Sequence, residues 1–207
     1  MKVLLVNGSP RKNGNTAAAL QEMQKVFAEL GIETELLQLG TDPVRDCIAC
    51  GGCYKTRRCV FDDDVVNRLV EKAAEADGFV FGTPVYYAHP SGRIQSVLDR
   101  AFYCGGSAFR RKPGAAVAVA RRAGTTASVD VLNKYFTISE MPVVSSSYWN
   151  VAHGGRPGEV AEDGEGIQTV RNLARNMAWL LRCIEAGKAA GIEPPQNEYG
   201  NVTNFIR

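Results

Sequence analysis

Four cysteines stand within thirteen residues, in the run Cys47-Ile48-Ala49-Cys50-Gly51-Gly52-Cys53-Tyr54-Lys55-Thr56-Arg57-Arg58-Cys59, with two, two and five residues between them. Structural zinc sites favour two pairs of ligands separated by a long gap. Compact CxxC steps with a fourth cysteine close behind are nearer to iron–sulfur ligation, in which four thiolates hold one cluster. Gly51 and Gly52 let the backbone turn tightly around a bulky group. Spacing alone leaves metal-free thiols open as well. Disulfides are disfavoured, because nothing else in the chain points to an oxidising compartment. Two further cysteines lie outside the run. Cys183 falls on an apolar helical stripe and reads as a small core residue. Cys104, before Gly105-Gly106, is the one open to reaction, although no neighbour in sequence marks a lowered pKa.

A second run suits a phosphate. Asn7-Gly8-Ser9-Pro10-Arg11-Lys12-Asn13-Gly14-Asn15-Thr16 contains neither a Gly-Lys-Ser/Thr step nor a GxGxxG pattern. It offers hydroxyls at Ser9 and Thr16, an amide at Asn15, a guanidinium at Arg11 and the free N–H groups of a helix start. Together these fit a phosphate monoester. The same residues equally suit an ordinary capped turn with Asn15 or Thr16 as N-cap. In a third run, Tyr86 and Tyr87 follow Gly82-Thr83-Pro84-Val85 at the carboxyl end of a strand pattern, where open parallel sheets bind their ligands. Two aromatics there could flank a flat ring or simply pack. His89 and His153 are the only histidines, and neither completes a Ser/His/Asp or Cys/His constellation. Asp62-Asp63-Asp64 precede a helical pattern and are expected to serve its positive end; carboxylates at i, i+1 and i+2 diverge too much for a metal cluster.

The elements that must position these groups alternate in type. Lys2–Val6 is an apolar, β-branched run typical of a buried parallel strand. A helix follows, with Leu20, Met23, Phe27 and Leu30 on one stripe and Gly31 closing it. Glu33–Leu39 reads as the second strand and 40–60 as a cysteine-rich insertion. A helix then carries Val65, Val66, Leu69, Val70 and Ala73 inward. Gly78–Tyr87 is a strand ended by Thr83-Pro84, and Ser91-Gly92 opens a helix with Ile94, Val97, Leu98, Ala101 and Phe102 on one face. Ala115–Ala120 is the fourth strand and Val143–Trp149 the fifth. Residues 150–166 read as an exposed loop, 166–190 as a long helix and 192–207 as a tail that packs on the surface or on a neighbour. With no repeat or linker, the order argues one domain over residues 1–207. The fold expected is α/β, a doubly wound five-stranded parallel sheet of order 2-1-3-4-5, with its crevice at strands one and three.

With 207 residues and 45% of them hydrophobic, the chain can bury a core without staples. A mixed net charge of +2 leaves no footprint for nucleic acid or an anionic membrane. The N-terminal apolar run is too short for a signal peptide and no stretch approaches a membrane span. The expectation is a soluble cytoplasmic protein.

Three motifs in order carry a family resemblance that covers nearly the whole chain. Gly8–Thr16 resembles the FMN-phosphate loop of the NADPH-dependent FMN reductase superfamily. Gly82–Tyr87, with Ser91-Gly92 and Leu98-Asp99-Arg100, resembles its isoalloxazine loop and following helix. Cys47–Cys59 resembles the cysteine motif of its iron–sulfur flavoprotein branch, and Arg121-Arg122-Ala123-Gly124 and Tyr148-Trp149-Asn150 are similar to further signatures. The resemblance implies a flavodoxin-like fold, non-covalent FMN and a homo-oligomer, dimer or tetramer, with the flavin near a subunit interface. It implies that Ser9, Arg11, Asn15 and Thr16 hold the phosphate, that Pro84, Val85, Tyr86 and Tyr87 line the ring, that Arg121, Arg122 and Gly124 reach the flavin edge, and that Cys47, Cys50, Cys53 and Cys59 ligate a 4Fe–4S cluster. The activity implied is a flavin-dependent oxidoreductase in which the flavin does the chemistry and no side chain acts as nucleophile. With the cluster, electrons would pass between a ferredoxin-like donor and a small-molecule acceptor; without it, NAD(P)H would reduce flavin or quinone. A reading from another class is a non-enzymatic zinc knuckle that recruits a partner.

Overall fold

The computed structural model describes residues 1–203 and 205. Strand β1 (Lys2–Asn7) pairs in parallel with β2 (Glu33–Gln38) on one side and β3 (Gly78–Tyr86) on the other. A two-residue strand β4 (His89–Pro90) folds back on β3, and β5 (Gly114–Ala120) and β6 (Val151–His153) complete the sheet. Its order is β2-β1-β3-β5-β6. Without the short antiparallel β4, that is the 2-1-3-4-5 arrangement expected for a flavodoxin-like fold.

Alternation along the strands divides two cores. Leu4, Val6, Phe79 and Phe81 face one side, where helices α3 (Val66–Glu75), α4 (Gly92–Gly105) and α5 (Thr125–Ile138) cover them. Val3, Leu5, Val80 and Ala115 face the other, beneath α1 (Asn15–Glu29) and α6 (Gly164–Ala189). Both faces are buried, which is why the runs Val3–Val6, Phe79–Phe81 and Ala115–Val119 are apolar at every position. A single turn of helix, α2 (Cys53–Thr56), lies within the cysteine segment. No helix among the described residues is long and apolar enough to cross a membrane.

Two expectations shift, and the tail takes one of the two placements expected for it. The fifth strand lies at Val151–His153, inside the segment read as a loop, and residue 143 adds only an isolated bridge to Gly114. The serines between them are engaged elsewhere. Ser146 Oγ donates to Thr169 O (2.6 Å), Asn176 to Ser145 O (2.8 Å) and Asn172 to Ser147 Oγ (3.0 Å), so this segment is tied to helix α6 and one of its carbonyls is already taken. Strand β3 runs through Pro84 instead of stopping there, pairing Pro84 with Val119 just before β5 ends. The tail packs on its own chain: Arg111 donates to Pro195 O, and Asn197 and Tyr199 donate to the Glu140 carboxylate. Residues 204, 206 and 207 of that tail lie outside the described residues.

Candidate functional site

The loops after β1, β3 and β5 meet at the carboxyl ends of the strands. Gly8 N donates to Gly82 O (2.8 Å), and Ser91 Oγ donates to Gly8 O (2.9 Å) while accepting from Ile94 N to cap α4. Thr83 Oγ1 accepts from Ser91 N (2.9 Å). The first two loops are therefore hydrogen-bonded to each other at their bases. The third lies on the second. A Cβ on Gly124, at φ 89°, would stand 2.5 Å from Ala88 Cα, so only glycine allows that approach.

In the first loop, Ser9 and Thr16 are buried and Arg11 is exposed. Ser9 Oγ accepts from Arg11 N (3.2 Å). Helix α1 starts at Gly14 with no side-chain cap, so neither Asn15 nor Thr16 is the N-cap that a plain turn would require. The first-turn N–H groups are left for another acceptor, which suits an anion. Asn15 departs from expectation in its side chain. Its amide donates to Arg156 O (2.8 Å) and its oxygen accepts from Gly158 N (2.9 Å) and Val160 N (3.3 Å). It braces the segment beside the loop, which leaves its backbone N–H as what it can offer an anion at the helix start.

The second loop is a two-residue hairpin. Val85 pairs with Pro90 and Tyr86 with His89, leaving Tyr87 and Ala88 as the turn, at φ 50° and 61°. Consecutive left-handed residues make a type I′ turn, which ordinarily takes Asn-Gly. Tyrosine and alanine there carry strain that the flanking bonds and the Gly124 contact must overcome. The strained turn presents Tyr87 fully to solvent and Tyr86 half exposed. Arg121 and Arg122 are exposed on the third loop, and Arg121 lies 3.3 Å from the Cβ position of Gly155. The donor set and the glycine-shaped cradle fit FMN: hydroxyls, a guanidinium and helix-start N–H groups for phosphate, and aromatics with backbone donors for a ring.

The cysteine segment builds a second site. Helix α4 lays its leading arm down by residues one face apart. Arg93 donates to Thr41 O (3.2 Å), Ser96 Oγ hydrogen-bonds the Asp46 carboxylate and Arg100 donates to Arg45 O (3.0 Å). Asn67 of α3 grips the trailing end, accepting from Cys59 N (2.9 Å) and donating to Cys59 O (3.0 Å) and Phe61 O (3.1 Å). Gly51 turns at φ 70°, and a Cβ on Gly52 would meet Val60 Cγ1 at 2.7 Å. The result is a cavity of about 260 Å³ lined by Cys47, Cys50, Cys53 and Cys59 together with Phe61, Arg100 and Cys104. That is far larger than the roughly 30 Å³ share of one water molecule. All six cysteines are free thiols. Among the described residues no three His, Cys, Asp or Glu side chains converge closely enough to hold a single metal ion. Thiols spread around a cavity suit a cluster, whose irons stand at separate corners, better than a lone ion.

Of the three acids expected to serve the helix start, Asp64 alone does so, and it carries a second partner. Asp63 pairs with Arg45 (2.5 Å) and Asp62 with Arg58 (2.6 Å), both at the surface, where such pairs add little. Asp64 is buried against Arg100, whose side chain is 1% exposed, and also accepts from Val66 N (3.1 Å). Removing one partner of a pair buried in this way costs about 3–5 kcal/mol. Two residues of this site escaped sequence reasoning: Asn67, and Arg100 as a partner of the cysteines. The signal for Arg100 was a charge three residues after Val97 and four before Cys104, on the buried stripe of its helix. The two outlying cysteines exchange roles. Cys183 is exposed, while Cys104 is buried and lines the cavity, and burial pushes its thiol up to about 11. Iodoacetamide at about pH 8 should therefore modify Cys183 and spare Cys104 in native protein, since only about a thousandth of Cys104 is thiolate there. Equal labelling of the two by mass spectrometry would contradict the burial.

A separate groove of about 800 Å³ lies at the amino-terminal ends of the strands, beside Met1, Pro113 and Pro142, away from both sites.

Comparison with known proteins places these features in a family. The family model described as NADPH-dependent FMN reductase matches residues 1–156. An iron–sulfur flavoprotein of Methanocaldococcus jannaschii is 34% identical over 193 residues, covering 89% of this chain and 100% of that protein. An iron–sulfur flavoprotein of Methanosarcina thermophila is 31% identical over 195 residues, covering 91% and 99%. A flavodoxin from the domain Archaea superposes with a TM-score of 0.58 at 13% identity, over 88% of this chain and 99% of that one, a likeness of fold.

Proposed function

The chain belongs to the family of NADPH-dependent FMN reductases, and on that premise we propose that it is an iron–sulfur flavoprotein, an FMN-dependent oxidoreductase whose second cofactor is a 4Fe–4S cluster among Cys47, Cys50, Cys53 and Cys59. The observation that carries the reading is the single cavity that those four thiols line. One helix joins it to the crevice. Ser91 at the start of α4 is bonded to the first loop, and Arg100 on the same helix lines the cavity. Nine residues at 1.5 Å each put the two about 14 Å apart along the helix axis. FMN supplies two-electron exchange with a nicotinamide and one-electron exchange with a cluster, which supplies a one-electron port.

The protein's part is to bind and orient. Ser9, Arg11 and Thr16, with the backbone N–H groups of Asn15 and Thr16, hold the phosphate dianion at the positive end of α1. Pro84, Val85, Tyr86 and Tyr87 would frame the ring, and backbone N–H groups of the strained turn could donate to it. Arg121, Arg122 and Gly124 close the third side. No side chain transfers a proton in this scheme. Tyr87, Tyr148 and Trp149 are more than half exposed and Tyr86 nearly half, and a second copy of the chain would cover such aromatics. The electron donor is a ferredoxin-like protein or NAD(P)H, and the acceptor a small molecule.

Two variants separate the sites. Cys50→Ala should strip iron from the protein and leave FMN bound, read by metal analysis and flavin absorbance; loss of both cofactors together would contradict two separate sites. Ser9→Ala combined with Thr16→Val should weaken FMN by roughly 100-fold or more, since each hydrogen bond to a charged group contributes about 1.5–3 kcal/mol. Riboflavin, which has no phosphate, should be nearly unaffected in fluorescence titration. Equal losses for the two ligands would overturn the phosphate assignment.

A further inference from the structure

The four thiols of the cavity are not equivalent. Cys47 and Cys50 are exposed, Cys53 opens the short helix α2, and Cys59 is tied down on every side. Asn67 holds its backbone at both N–H and C=O. Its sulfur receives two hydrogen bonds from one guanidinium, Arg100 Nε and Arg100 Nη2, each at 3.3 Å. Arg100 has no solvent to fall back on, and its remaining donors go to the Asp64 carboxylate and to the carbonyls of Arg45 and Phe61. The fork is therefore held in one orientation by partners on both arms of the cysteine segment. A fixed, fully paired cation aimed at a sulfur is more than a surface salt bridge needs, and more than an Arg–Asp pair alone accounts for.

We propose that Arg100 is a positioning residue for the cluster: it fixes Cys59 as the anchored ligand, and its two N–H groups to the Cys59 sulfur set the cluster's reduction potential higher than it would otherwise be. The inference rests on the cluster reading above. Electron gain by a cluster places more negative charge on its ligand sulfurs, so donors and positive charge at a sulfur favour the reduced state, and hydrogen bonds to the sulfurs are among the levers that set such potentials. Cys59 is the corner at which this lever acts. Among the described residues the other three motif sulfurs receive no such cation. Asp64 acts through Arg100, orienting the fork and balancing its charge so that the pair can be buried.

Two variants test this. Arg100→Lys keeps a positive charge that can pair with Asp64 but cannot span Asp64 and the sulfur with a planar fork. The double variant Arg100→Gln with Asp64→Asn removes both buried charges together and leaves none unpaired. Each is purified anaerobically beside the wild type. Iron, sulfide and FMN are counted, and the cluster potential is measured by redox titration followed by electron paramagnetic resonance. The expected result is FMN at the wild-type level, with the cluster potential shifted to more negative values in both variants, or iron lost selectively. Wild-type iron content together with an unchanged potential would overturn the role given to Arg100, as would loss of FMN and iron in parallel, which is the mark of a general packing residue. Wild-type protein that binds FMN and holds no iron would overturn the cluster reading and this inference with it. Iron in the wild type with unshifted variants overturns the inference alone.

Discussion

A guanidinium with no access to water must find every partner inside the protein, and that requirement organises the half of the molecule that carries the cysteines. Arg100 sits on the buried stripe of α4, between Val97 and Cys104. To remain there charged it needs a carboxylate and several neutral acceptors in the plane of its fork. Asp64 supplies the first; Arg45 O, Phe61 O and the Cys59 sulfur supply the rest. Each acceptor belongs to the segment between β2 and α3. A stretch with almost no regular structure is thereby pinned at both ends to a core helix, and its thiols are brought around one cavity.

The same helix begins at the other site. Ser91 caps it and bonds to Gly8, so the Ser9–Thr16 loop, the strained Tyr87-Ala88 turn and the cysteine cavity share one rigid element. On the proposed reading this helix would hold flavin and cluster at a fixed separation, and the residues that hold them are donors, small residues and strained backbone rather than catalytic side chains. The strain at Tyr87 and Ala88 persists because the base of the hairpin is bonded on one side and pressed by the Gly124 loop on the other.

Much of this was legible in the sequence. The strand–helix alternation and the apolar runs at β1, β3 and β5 carried the doubly wound parallel sheet, because strands buried on both faces leave little room for another class, while the strand order came from the chain length and the flavodoxin-like fold it suits. The cysteine spacing and the two glycines within it pointed to a compact cradle. The fifth strand was not legible: Val143–Trp149 has the composition of a strand, and only the presence of α6 shows that its serines bond elsewhere. Asn15 looked like a phosphate ligand because its side chain suits one, and nothing local reveals that residues 156–160 claim it. Of the acids at 62–64 only Asp64 serves the helix start, and its arginine partner was not legible because Arg100 lies 36 residues away. Cys104 and Cys183 were transposed for a similar reason. Periodicity placed both on helices, and only packing decides which side of a helix meets solvent.

The central claim is that the four thiols hold a cluster beside a bound flavin. The most direct measurement is the visible spectrum of anaerobically purified protein, with iron and acid-labile sulfide counted against FMN. The account predicts flavin bands over a broad iron–sulfur absorption, with about four irons and about four sulfides for each FMN. Flavin bands with no iron would contradict it and leave a cluster-free NAD(P)H-dependent reductase whose cysteine cavity is structural.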